Sequence, residues 1–244
     1  MRRAIVVTGL LLLGLVAPPA AAAAPVTAAP EPPPAAVMDA NEAYITAVYA
    51  DLFGRSPDAT GLATWKAKLA AGTPRVEVAN AITGSTEFRT GLITSAYDWY
   101  LDREPDAAGL KYWLDQMAKG VTIAQIESGF LASAEYRALA GDAATWVVYL
   151  YLDVLDREPS DAEVAYWVGR LAKGTNPRDV ALGFLLSTEY LTTVVGGYYD
   201  WLLGRPLDPT GTKTWVGILQ KGGRDEWIIG GIVASDEYWK LVTT

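Results

Sequence analysis

The chain has 244 residues, a formal net charge of −8, and neither cysteine nor histidine. Without Cys there are no disulfides, so stability rests on packing. Without His, the Ser-His-Asp and Cys-His nucleophile arrangements, the common zinc sites and the usual near-neutral proton shuttle are excluded. Carboxylate chemistry and hard-cation binding by oxygens are what remain.

Arg2 and Arg3 precede an apolar run at 4–16, then Pro18, Pro19 and small residues at 20–24. That order reads as a secretory signal peptide over 1–23, cut near Ala22 or Ala23. The run is short for a spanning helix, so no membrane span is expected after processing. Losing Arg2 and Arg3 moves the formal charge from −8 to −10, which argues against nucleic acid or an anionic membrane surface as partner. Residues 24–40, "APVTAAPEPPPAAVMDA", read as a Pro/Ala linker unable to build a core. The folded part is then about 41–244.

One phrase recurs through that part: "RSPDATGLATW" from Arg55, "REPDAAGLKYW" from Arg103, "REPSDAEVAYW" from Arg157 and "RPLDPTGTKTW" from Arg205. A Tyr precedes each Arg (Tyr49, Tyr97, Tyr151, Tyr199), a Gly follows each Trp (Gly72, Gly120, Gly174, Gly222), and a Ser-x-Glu-aromatic signature closes each unit from Ser85, Ser133, Ser187 and Ser235. The steps of 48, 54 and 48 residues define a repeat architecture. Six extra residues fall in "ALAGDAAT" (138–145). Units two and four share "YDW" where units one and three have "YAD" and "YLD". The chain therefore reads as a two-repeat unit duplicated, 41–139 and 140–244.

Within a unit, periodicity predicts helices over 44–53, from Asp58 to Gly72 with Leu62, Trp65 and Leu69 on one face, and around Val78 and Ile82, then a short fourth helix from Ser85. A small residue beside the third-helix stripe (Ala81, Gly129, Gly183, Gly231) is expected to let helix backbones approach. Strand-like alternation is scarce, so the fold class is all-α: four tandem helical repeats of about 48 residues.

Asp58, Asp106 and Asp208 suit helix N-caps, and unit three replaces Asp…Gly by Ser160 and Glu163, a capping box. Capping survives the exchange, which a catalytic or metal-binding carboxylate would not. No loop has the dense Asp/Asn/Gly spacing of a calcium site. Each Arg has a carboxylate on offer in its own unit, so Arg55–Glu87, Arg103–Glu135, Arg157–Glu189 and Arg205–Glu237 are expected as at least partly buried ion pairs. Losing one partner would cost roughly 3–5 kcal/mol if burial is deep. Trp99 and Trp201 fall off the apolar stripe at positions held by Asp51 and Asp153 in the odd units. They are read either as a partner surface or as covered by a neighbouring unit.

The Tyr-rich helix, the Arg-x-Pro-Asp-x-x-Gly-x-x-x-Trp phrase and the closing Ser-x-Glu-Tyr resemble the bacterial family of domains of unknown function 4214, over nearly all of 43–240. The pattern departs at Glu163, Val164, Pro206 and Leu207. The resemblance implies extracellular tandem modules and carries no catalytic residues. Together these readings lead us to expect a secreted, extracellular or cell-wall-associated, non-catalytic binding or scaffolding protein without cofactor, its partner an extracellular protein or a cell-wall glycan. The alternatives are a glycan-acting hydrolase using paired carboxylates and a calcium-dependent surface module.

Overall fold

Serine caps set the register of the chain. In the computed structural model, which describes residues 39–244, the side chains of Ser85, Ser133, Ser187 and Ser235 accept the backbone N–H three residues on, at 3.1–3.2 Å. Each relieves one unpaired donor of a first turn. The expected signal peptide and nearly all of the linker lie outside the described residues. The last two linker residues belong to the fold, because Asp39 caps α1 by accepting from the Glu42 N–H at 2.9 Å.

The first unit supplies α1 (Ala40–Phe53), α2 (Ala59–Ala70) and α3 (Arg75–Thr83). Then comes α4 (Thr86–Leu101), followed by α5 (Ala107–Ala118), α6 (Ile123–Leu131) and α7 (Ala134–Ala140). The second half has α8 (Ala143–Leu155), α9 (Asp161–Ala172), α10 (Pro177–Leu185) and α11 (Thr188–Leu203). In its last unit α12 (Pro209–Gly211) passes through a π-helical turn (Thr212–Val216) into α13 (Gly217–Gln220), followed by α14 (Asp225–Val233) and α15 (Asp236–Thr243). Among the described residues there is no strand, and the fold is all-α.

The short fourth helix is corrected in two places. In α4 and α11 the helix begun by the serine runs without a break through the key Tyr of the next unit. Between units two and three the six extra residues interrupt it. Gly141, at φ 78°, takes a backbone conformation that only glycine adopts without strain, and α7 and α8 meet at 104°.

The packing does not follow the 41–139 and 140–244 division. One hydrophobic core joins Tyr97, Met117 and Phe130 of unit two to Leu150, Tyr151 and Phe184 of unit three. The other joins Tyr44, Val48 and Ile82 of unit one to Tyr199, Ile232 and Tyr238 of unit four. The duplication marks ancestry in the sequence, whereas each core forms across a unit boundary, where α6 packs on α10 and α3 on α14. One of the small residues beside these helices, Gly231, serves another purpose than expected. A Cβ at Gly231 would lie 2.9 Å from the Trp215 ring, and one at Gly129 would meet the Trp113 ring at 3.8 Å. The vacancy at Gly231 receives indole, whereas at Gly129 the ring is at ordinary contact distance and at Gly183 nothing lies within 4 Å. Close contact across the α3–α14 seam falls instead at Gly230, where a Cβ would meet Asn80 Oδ1 at 2.3 Å.

The first and last units close the chain on itself. Tyr238 donates its hydroxyl to Asp51 Oδ2 at 2.5 Å, Arg75 Nε donates to the Ala234 carbonyl at 3.2 Å, and Arg75 also pairs with Asp236. The matching seam between units two and three repeats the first bond, Tyr136 to Asp153 Oδ2 at 2.6 Å.

Two helix ends carry avoidable strain. Gly54 and Gly204 end α1 and α11 in the left-handed conformation, but Asp102 and Asp156, both at φ 52°, do so after α4 and α8. Left-handed backbone disfavours residues with a Cβ. Asp102→Gly and Asp156→Gly are expected to stabilise the protein by about 0.5–1 kcal/mol each, read as a raised urea midpoint at unchanged slope.

Candidate functional site

The recurring residues assemble one device in each unit. Arg103 Nε and Nη2 donate to the two Glu135 oxygens at 2.7 and 3.0 Å, and Nη1 donates to the Glu104 carbonyl at 3.2 Å. Its guanidinium lies 4.9 Å from the Tyr97 ring centroid, and the Tyr97 hydroxyl accepts from Trp113 Nε1 at 3.3 Å. The same four residue types meet around Arg55–Glu87, Arg157–Glu189 and Arg205–Glu237. Trp65, Trp167 and Trp215 donate to Tyr49, Tyr151 and Tyr199 at 3.0, 3.2 and 2.9 Å. Sequence spacing alone did not reveal this Trp-to-Tyr bond. It also explains the Gly of the phrase: a Cβ at Gly109 or Gly211 would lie 2.8 or 2.7 Å from the Tyr97 or Tyr199 hydroxyl.

The paired Arg and Glu side chains are 36–51% exposed. A stranded partner therefore stays hydrated, and the larger cost expected for deep burial does not apply. The caps are formed as well. Asp58 and Asp106 accept from Gly61 and Gly109 N–H at 2.8 Å, and Asp208 from Gly211 N–H at 2.9 Å. Ser160 accepts from Glu163 N–H at 3.3 Å, while Glu163 Oε2 accepts from Ser160 N–H at 2.8 Å. Glu163 also takes Arg157 Nη2 at 2.9 Å, and these bonds hold its carboxyl down at about 2.

Trp99, 37% exposed, donates Nε1 to the Asp153 carbonyl of unit three at 3.3 Å. Trp201 is half-buried against the core shared by units one and four. Both indoles thus lean on the molecule's own seams, and only part of Trp99 faces outward.

A second constellation belongs to no repeat. Comparison of the two pairs, residue by residue, shows where buried and half-buried polarity enters. Arg89, Tyr100, Glu127, Asp225 and Glu226 stand where the other pair has Leu191, Leu202, Ile229, Ile123 and Ala124. Glu226, 1% exposed, accepts from Arg224 Nη2 at 2.7 Å and Arg89 Nε at 3.2 Å through Oε1. Arg224, 8% exposed, anchors Nη1 on the Met117 carbonyl at 3.0 Å. Glu226 Oε2 and Arg224 Nε are buried without a partner among the described residues. Beside them the Tyr198 hydroxyl is 2.8 Å from Asp225 Oδ1, and burial pushes Asp225 up to about 6. Burial, and then the charge of Asp225, pushes Glu127 up to about 8. Among the described residues no three acidic side chains converge as cation ligands.

Arg89 also forms a wall of a groove of about 420 Å³ between α4 and α5, lined by Thr86, Leu110, Leu114, Lys111 and Asp115. Ala118 also lines it. In the other pair Gln220 occupies the position of Ala118 and reaches back to the Thr188 hydroxyl and the Leu186 carbonyl at 3.1 and 3.2 Å. The equivalent groove is bridged there and open here. Neither the groove nor the polar cluster was singled out from sequence, because both show only when one pair is subtracted from the other.

The helices, clasps and seams define a closed helical-repeat protein. A family model for a domain of unknown function, DUF4214, matches residues 37–92, 90–140 and 128–194. These segments cover more than half of the chain, and the protein belongs to that family. Residues 195–244 lie beyond the matched segments, and there Arg205, Trp215 and Glu237 build the same clasp. No curated protein and no solved structure matches the chain.

Two outcomes test this geometry. A double-mutant cycle on Arg103 and Glu135 is expected to return a favourable coupling of about 0.5–1 kcal/mol. The second concerns Glu127, which keeps its proton up to about 8 when folded but releases it near 4.5 when unfolded. Its contribution is therefore greatest below 4.5, declines as pH rises, and is lost above about 8. Asp225 acts in the same direction between 3.8 and about 6. The melting temperature is expected to fall from pH 5 to pH 8, each group lowering stability by up to about 1.4 kcal/mol per pH unit within its own window. Glu127→Gln is expected to flatten that slope and to melt higher than the parent at pH 8.

Proposed function

We propose that the protein is a secreted, non-catalytic binding module of the cell exterior, with its ligand site in the α4–α5 groove. The observation that supports this reading most is the division of labour among the polar residues. Those that recur in every unit are consumed in clasps and caps. Of the unmatched ones, Arg89 lines a groove that the other pair bridges with Gln220, and Glu226 is bonded to Arg89 from behind. Buried polar groups with incomplete partners cost stability, so a cluster confined to one copy points to use there. Secretion rests on the basic start, apolar run and small-residue cut site at the N-terminus.

A second reading, a glycan-acting hydrolase, draws on Glu127 and Asp225, two acids of unequal proton affinity. Against it, Asp225 is 6% exposed and held by Tyr198, which leaves little room for a sugar ring or an attacking water. The test combines co-sedimentation of the purified protein with insoluble cell-wall material and assay of the same mixture for released reducing ends. Retention without release is expected. Release that disappears in Glu127→Gln would replace the binding reading with the hydrolase.

A further inference from the structure

We propose that the α4–α5 groove binds a small carboxylate that carries an apolar body, gripped by the guanidinium of Arg89. This rests on the binding reading above and names the ligand class for that site.

The grip comes from what Arg89 leaves unused. Only Nε is engaged, by Glu226 at 3.2 Å. Its two terminal nitrogens make no hydrogen bond or ion pair among the described residues, and the side chain is 22% exposed, on the groove wall. A guanidinium fixed at Nε, with its other edge open, offers the paired N–H geometry that a carboxylate accepts. Glu226 cannot neutralise it alone, because the same Oε1 also takes Arg224. Lys111 adds a second cation on the rim. It is held by Asp115 at 2.7 Å, so the carboxylate on the rim is already occupied.

The body of the ligand follows from the floor. Leu110 and Leu114, with Ala107 and Ala118, are apolar, and about 420 Å³ lies within the range of small-molecule sites. Comparison of the two pairs gives independent support. The other pair has Leu191 for Arg89 and Gln220 for Ala118, so it lacks the cation and carries the bridge. Cation and opening occur together in one copy and are absent together in the other.

The experiment is a titration followed by NMR shifts and calorimetry. The probes are hexanoate and phenylacetate, each beside its neutral primary amide. Carboxylates are expected to shift resonances of α4 and α5, with the amides at least about tenfold weaker. Ala118→Gln copies the natural bridge onto a surface position, and is expected to fold as the parent does while weakening the carboxylates by at least about tenfold. Arg89→Leu is expected to abolish the preference for carboxylate over amide. Equal binding of acid and amide, or binding undiminished in Ala118→Gln, would overturn the proposal. So would no binding of either acid by a parent that still sediments with cell-wall material, and that outcome leaves the binding reading standing. A parent that neither sediments nor binds the probes overturns both.

Discussion

Each unit depends on one contact, a guanidinium held between a carboxylate and an aromatic face. The Arg is fixed along one edge by the Glu that closes its unit and rests on the Tyr that opens it. The Tyr hydroxyl in turn receives the indole N–H of the second helix. Three helices and the loop that carries the Arg are thereby tied at one point, where hydrophobic packing alone would leave their relative rotation loosely set. The ion pair by itself is half-exposed and contributes little in water. Its value lies in geometry. A planar fork on a ring, with every donor edge engaged, allows one arrangement of start, middle and end.

Given that local device, the seams decide the global shape. A tyrosine from the closing signature of an even unit reaches the aspartate of an odd unit, Tyr136 to Asp153 and Tyr238 to Asp51. The two bonds are copies, yet one spans neighbours in sequence and the other joins the two ends of the chain. A linear stack would leave the second pair apart, with the apolar faces of α3 and α14 in water. Burial of those faces drives closure, and burial raises the Tyr238 hydroxyl well above its ordinary range with the Asp51 carboxylate adding to it. That hydroxyl thus stays a donor.

Much of this was legible in the residues. The spacing of Arg, Trp and Ser-x-Glu-aromatic named the helices, the ion pairs and the caps, because each depends on contacts within one unit. What escaped reading depended on contacts between units. Asp51 and Asp153 stood out only as the residues that Trp99 and Trp201 replace, and they accept from a tyrosine of another unit. The small residues of the third helices looked like backbone crossings, yet Gly231 makes room for an indole. The cut after residue 139 looked like a domain boundary because duplication repeats sequence, while burial joins whichever faces meet.

Arg89, the residue we propose grips the ligand, shows most clearly why such a side chain can hide in this chain. A cation in the wall of an apolar groove is costly unless an acid lies behind it, and no residue of its own unit supplies one. Glu226 does so from the far end of the chain, at a position that is Ala124 in the duplicate. A carboxylate buried there needs more than one partner, and Arg224 provides the second while anchored on the Met117 carbonyl of α5. The three charges are compatible only as a set, and only in the closed molecule. Each would be destabilising if introduced alone, so the cluster is read from the fold outward, by asking which buried charges the duplicate manages without.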